Sequence, residues 1–174
     1  MTDNLKSIVH EKVEDNPSVM PRNLARELNV PEGEIIGALP DDMRTRVPAS
    51  DFISVWETMT EWEKVTFFAE TPGAIIEVSG ALPKGKSGHG MYNLLDKNFP
   101  LGGHIMPENI ASIWLVSKPI FNLESHSIQF FDGSGRLCFG IYLGRDASRT
   151  IIPSVKEGYL KLWTRYGGKT ESGC

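Results

Sequence analysis

The chain has 174 residues, 40% of them hydrophobic, which is enough for an ordinary domain whose core needs no disulfide staple and excludes a miniprotein. Its 18 Lys and Arg stand against 22 Asp and Glu, a formal charge of -4, so no global basic field recruits phosphate backbones or anionic membranes. The two cysteines, Cys138 in an apolar run and Cys174 at the last position, make no zinc pattern and point to a reducing compartment.

The first forty residues are charged and place apolar side chains at helical spacing. Leu5, Ile8, Val9 and Val13 predict a first helix that ends near Asn16-Pro17. Pro21 opens a second helix carrying Leu24, Ala25 and Leu28, and Pro31 opens a third carrying Ile35, Ile36 and Leu39 before Pro40 stops it. A linker rich in Pro, Asp and Arg is expected from Pro40 to Ser50, which divides the chain into a helical N-terminal segment (1–48), a main domain (49–168) and a polar tail (169–174).

Phe52, Val55, Trp56 and Met59 fall at i, i+3, i+4 and i+7, the pattern of an amphipathic helix over 51–63, capped by Ser50 or Asp51. Strands are expected at 65–69, 74–79, 88–96, 110–117, 127–131 and 137–143. The run Phe130-Phe131-Asp132-Gly133-Ser134-Gly135-Arg136-Leu137 reads as a hairpin, since Asp and Gly supply its turn conformations. Helical spacing returns from Pro153 to Tyr166 with Val155, Tyr159, Leu162 and Trp163, before a Gly-Gly stop. The fold class is α+β, an antiparallel sheet with flanking helices and a helical N-terminal segment. The polar N-terminus has no signal-peptide core and no apolar run reaches membrane length, so a soluble cytoplasmic protein is expected.

Residues 21–39 have the spacing of a helix-turn-helix. The helix that would read bases offers Glu32 and Glu34 and no Arg, Lys, Asn or Gln, so a structural helical unit is the better reading and a DNA-binding regulator a minor one. No nucleophile elbow, phosphate-loop lysine or zinc-protease helix is present. Gly85, Gly88 and Gly90 lack the strand-then-helix context of a phosphate loop and are assigned to a loop. His10, on a polar helix face, and His126, near a turn, are read as surface residues.

The unusual region is Ser79 to Leu94, followed by Leu101-Gly102-Gly103-His104-Ile105. It holds two of the four histidines, flanked by glycines that let a large flat ligand approach the backbone, with Lys84 and Lys86 to meet acidic groups. A haem suits this description. Its iron is held by His or by a Tyr phenolate, so Tyr92, His104 and His89 are the axial candidates.

Taken together, Val78-Ser79-Gly80-Ala81-Leu82-Pro83, His89-Gly90-Met91-Tyr92-Asn93-Leu94, Gly103-His104-Ile105 with Glu108-Asn109, and Leu143-Gly144-Arg145-Asp146 resemble the haem-utilisation carriers of the HutX/ChuX/HuvX family, HuvX-type members in particular. The resemblance spans most of the chain. It implies a cytosolic homodimer whose sheets pair across a two-fold axis, haem as bound cargo, and transfer of that haem to a degrading enzyme. By position, His104 matches a family histidine in haem contact, and Tyr92 lies where other members use a tyrosine ligand. Glu70 falls where the family carries a further histidine, a poor exchange for an imidazole on haem iron. The expected site is therefore Tyr92 and His104 at the iron, Tyr92 favoured, with His89 and Lys86 also contacting haem. A carrier needs protection and exchange, which one replaceable axial ligand supplies. Haem degradation is the alternative, and phenolate ligation, which favours ferric iron, opposes it.

Overall fold

The computed structural model describes residues 3–169. Three helices open the chain: α1 (Asp3–Asp15), α2 (Pro21–Leu28) and α3 (Glu32–Ala38). Pro21 starts α2 as expected, because its missing N–H would be unpaired there in any case. Asn29 ends it in the left-handed conformation, its N–H returning to the carbonyls of Ala25 and Arg26.

The stretch expected to be a linker instead contains a strand, β1 (Arg44–Val47), which pairs antiparallel with β7 (Ser112–Ser117). Arg44 and Arg46 lay their guanidinium groups 5.4 and 5.9 Å from the Trp114 ring centre, Arg46 exposed and Arg44 donating to Leu39 O and the Asp41 carboxylate. Leu5, Val9, Leu24, Ile35 and Ile36 bury against Trp114, Val116 and Phe131 of the sheet, so the N-terminal helices cover one sheet face. α2 and α3 follow one another across a short turn at 29–31. Ile35, Ile36 and Ala38 of α3 are fully buried, however, and Gly33 N–H donates to Gly135 O at 2.9 Å, which docks the helix on the sheet rather than offering it to a groove.

The main sheet runs β1-β7-β8-β9-β2-β3, all neighbours antiparallel, with β2 (Val65–Thr71), β3 (Ala74–Gly80), β8 (His126–Phe131) and β9 (Leu137–Leu143). The Asp132 to Arg136 hairpin forms as expected, its Asp132 carboxylate accepting from the backbone of Ser134 and Arg136 while Gly135 takes φ +77°.

The second face packs against α4 (Phe52–Thr60) and α5 (Pro153–Arg165), whose buried residues are the ones the spacing predicts. Asp51 precedes α4 but does not cap it. Its carboxylate accepts from the Tyr166 hydroxyl at 2.9 Å, tying the start of α4 to the end of α5. A separate three-stranded sheet, β4 (Lys86–Gly88), β5 (Met91–Leu94) and β6 (Gly103–Ile105), leans on the same core, where one continuous strand over 88–96 was expected. His89 and Gly90, at φ +54° and +74°, make the two-residue turn between β4 and β5, the left-handed pair whose twist suits a hairpin. Of the tail, residues 170–174, including Cys174, lie outside the described residues.

Candidate functional site

The small sheet sorts the candidate residues by face. Across it, Lys86 pairs with Asn93 and Asn93 with His104, so these three share one face with roughly 5 Å between successive Cβ atoms. Tyr92 and Ile105 form the next row and turn the other way. Asn93 connects the outer row. Its amide Nδ2 donates to the carbonyls of Lys86 (2.9 Å) and Gly88 (3.2 Å), which leaves Oδ1 to accept from His104 Nδ1 at 2.7 Å. An amide oxygen only accepts, so Nδ1 is the donor in that bond, and in the neutral ring this places the lone pair on Nε2. Nε2 has no hydrogen-bond partner among the described residues, and His104 is exposed.

Beside His104 opens a cavity of about 290 Å³ lined by Phe67, Leu94, Leu101, Ile105, Met106 and Phe139, among others. Its walls are apolar and aromatic, with Phe67 stacked on Phe139 at 5.5 Å. Met106 stands two residues after His104, half exposed at the same rim. Neither Met106 nor the Phe67–Phe139 pair was singled out in the sequence, where only the alternation after Gly103 hinted that 104 and 106 share a side. Burial pushes the Cys138 thiol up, so this cavity residue stays a thiol at neutral pH and is no anionic ligand.

Tyr92 occupies a different place from the one expected of an iron ligand. It is 1% exposed in the main core, edge-on to Phe52 (5.6 Å) and Trp56 (6.3 Å). Its hydroxyl accepts the Gly85 N–H at 3.0 Å. Burial raises the phenol above its ordinary value, the direction opposite to ligand activation, and Tyr92 lines neither principal cavity. Trp56 holds the loop that leads there, its buried indole N–H donating to Pro83 O at 2.9 Å. Of the other expected contacts, Lys86 and His89 are both exposed, Lys86 in the row of His104 and His89 at the hairpin tip.

Glu70 also lies away from His104. Phe67 lines the His104 cavity, whereas Phe68 and Glu70 line a cleft on the opposite, helix-covered side of β2. There the Glu70 carboxylate accepts from Arg22 at 3.3 Å and lies 3.5 Å from Arg26, tying α2 to the sheet. It therefore shares no cavity with His104. His126, read as a surface residue, is a half-buried residue of β8 with both nitrogens engaged, Nδ1 with Ser117 Oγ (2.9 Å) and Nε2 with Glu124 (2.8 Å). Among the described residues no helix is long and apolar enough to cross a membrane.

A sequence model of haem utilisation ChuX/HutX proteins matches residues 45–162. The intracellular heme transport protein HutX of Vibrio cholerae is 40% identical over 151 residues, covering 87% of this chain and 78% of that protein. The structure of the heme binding protein ChuX superposes with a TM-score of 0.82 at 30% identity, covering 92% of this chain and 97% of the other. A protein from Erwinia carotovora superposes with a TM-score of 0.86 at 29% identity, over 95% of this chain and 99% of its own.

Proposed function

Since this chain belongs to the ChuX/HutX haem utilisation family, we propose that it binds haem inside the cell through His104 and passes it to a haem-degrading enzyme. The observation that carries the reading is the His104–Asn93 pair: an exposed imidazole whose free nitrogen is fixed by a neighbour and whose flank is an apolar cavity. Haem iron takes such a nitrogen, the cavity receives an apolar edge of the porphyrin, and Lys86, in the same row, meets a propionate. His89, on the hairpin tip, has the reach of a rim contact only. Tyr92 has no part in ligation and keeps the small sheet seated on α4.

A carrier suits the geometry because an exposed ligand lets an acceptor approach before the donor lets go. The V. cholerae relative is itself named as a transport protein, in line with cargo rather than substrate. The chain also acts with a second copy of itself. Among the described residues β3 is an open edge of the main sheet and carries Ile75 and Ile76, each about half exposed, and two-fold pairing protects such an edge.

Ferric haem titrated into the apo-protein and followed in the Soret region tests the ligand. A saturable band that His104→Ala abolishes or shifts, and that Tyr92→Phe leaves in place, supports the reading. A band that shifts with Tyr92→Phe and ignores His104→Ala overturns it. Adding a reductant in air should leave the porphyrin spectrum intact, and release of iron would make the protein a degrading enzyme. Sedimentation of wild type and Ile76→Lys reads the dimer, which the lysine should dissociate.

A further inference from the structure

Where β7 ends and β8 begins, a row of polar groups runs from the core to the surface. His126 opens β8 opposite Ser117, the last residue of β7. Its ring is half-buried, and its centre stands 4.9 Å from that of the Tyr159 ring on α5. Nε2 meets the Glu124 carboxylate at 2.8 Å, and a carboxylate only accepts, so Nε2 is the donor. In the neutral ring Nδ1 is then the acceptor, and Ser117 Oγ donates to it at 2.9 Å. That leaves the serine oxygen to accept from the Tyr159 hydroxyl at 3.0 Å. Tyr159 is fully buried, which pushes its phenol up and keeps it a neutral donor. Every O–H and N–H of the row has one acceptor, and all of them point from Tyr159 toward Glu124.

The row is complete only around a neutral imidazole. A second proton makes Nδ1 a donor as well. Either Ser117 keeps Tyr159 and its own hydrogen loses the acceptor, or the row reverses and the buried Tyr159 hydroxyl loses its acceptor instead, and an unmatched polar hydrogen in either place is costly. The carboxylate that would favour an imidazolium is already engaged, since Lys156 of α5 lies 2.6 Å from the same Glu124 Oε1. Arg145 donates to Glu124 O and adds a further cation beside the ring. Burial first, and then Lys156 and Arg145, push the imidazole below its ordinary value against the pull of Glu124.

Glu124 is where three parts of the fold meet. Its carboxylate holds α5 through Lys156, its carbonyl holds Arg145, and Arg145 Nη1 in turn donates to Arg149 O. Between them the Asp146 carboxylate accepts from the N–H groups of Ser148 and Thr150, so this loop keeps its own shape and is held or released as a unit. Arg145, Arg149 and Ile151 form part of the wall of the helix-side cleft, about 350 Å³. We propose that His126 is an acid-sensitive clasp, which when neutral holds the 145–151 loop and the start of α5 to the sheet and when protonated lets them part, loosening this wall of the cleft. The folded ring resists the second proton, so the clasp is at full strength above pH 6.5 and weakens as pH falls below it, until the folded imidazole itself takes the proton.

Hydrogen exchange of the full chain between pH 7.5 and pH 5, expressed as protection so that the intrinsic rate drops out, tests the clasp. The His126 resonance, assigned by its contact with the Tyr159 ring, is titrated on the same samples. Peptides over 144–157 should lose protection by about 3-fold or more across this range, while the hairpin at 131–137 stays flat. His126→Gln keeps a donor and an acceptor without a titrating ring and should remove the step. Lys156→Met frees Glu124 to pair with an imidazolium, so the His126 resonance should titrate at higher pH and the step should shrink, whereas a lysine with a merely structural role would lower protection at every pH and leave the titration in place. Flat protection over 144–157 in wild type, a step that His126→Gln retains, or a His126 resonance that Lys156→Met does not move would each overturn the proposal. Should His126→Gln not fold, the wild-type profile and Lys156→Met decide by themselves.

Discussion

Gly85→Ala tests whether Tyr92 is held as a packing residue. A methyl built on Gly85 comes within 2.3, 2.6 and 2.7 Å of three atoms of the Tyr92 ring. Ordinary contact begins about a full ångström further out, so the ring or the backbone has to move. The ring has nowhere easy to go, since Phe52 and Trp56 hold it edge-on from the other side. Overpacking of this kind costs about 1 to 3 kcal/mol, and displacing the Gly85 N–H from the tyrosine oxygen adds about 1, for about 2 to 4 kcal/mol in all. For a chain of this length that lowers Tm by about 4 to 16 °C, measured by circular dichroism at 222 nm on wild type and variant. Tyr92→Leu in the Gly85→Ala background removes the colliding atoms, so the two losses should be clearly less than additive in a double-mutant cycle. A Gly85→Ala protein within about 0.5 kcal/mol of wild type would refute the packing role and return Tyr92 to the list of iron ligands.

Asn93→Ala should leave the fold intact and weaken ferric haem about 10-fold or more in a Soret titration, because the imidazole loses the partner that fixes its tautomer. Glu32 is raised from its ordinary 4.5 to about 7, chiefly by burial and then by the neighbouring Glu70 carboxylate. Its folded value lies above its unfolded one, so stability is undiminished below about pH 4.5, declines as pH rises toward 7 and stays lowered beyond. Glu32→Gln should therefore flatten urea-unfolding stability between pH 5 and pH 8 and add of order 2 kcal/mol at the upper end. Glu70→Gln removes partly exposed ion pairs and should cost less than about 1 kcal/mol by the same assay, with haem binding unchanged.

Much of the fold is legible in the sequence because its cues are local. Pro21 and Pro153 mark helix starts, the i, i+3, i+4, i+7 pattern from Phe52 identifies the buried face of α4, and Asp132 with Gly135 specifies a hairpin. What stays hidden depends on distant partners. The segment Arg44–Val47 looks like a charged linker until Trp114, seventy positions on, provides an aromatic surface for its arginines. Around Tyr92 the strand has apolar residues on both faces, Met91 on one and Tyr92 and Leu94 on the other, so alternation alone does not say which face meets the core. His104 stands out in the sequence by residue type and flanking glycines alone. Its neighbour Asn93, which gives the imidazole its direction, becomes visible only when β5 and β6 pair.

The strand order also sets a timetable. β2 and β3 form a local hairpin, but the other edge of β2 waits for β9, where Val65 meets Leu143. At typical synthesis rates those 78 positions take about 4 to 16 s to emerge. During that interval Phe67 and Phe68 have no sheet on one side, in an apolar strand of the kind that joins other chains. Newly made copies crowded on one message face this hazard before either cavity exists, so expression at lower temperature or with a chaperone that holds extended segments should raise the yield of folded protein more than any change to the ligand-binding residues.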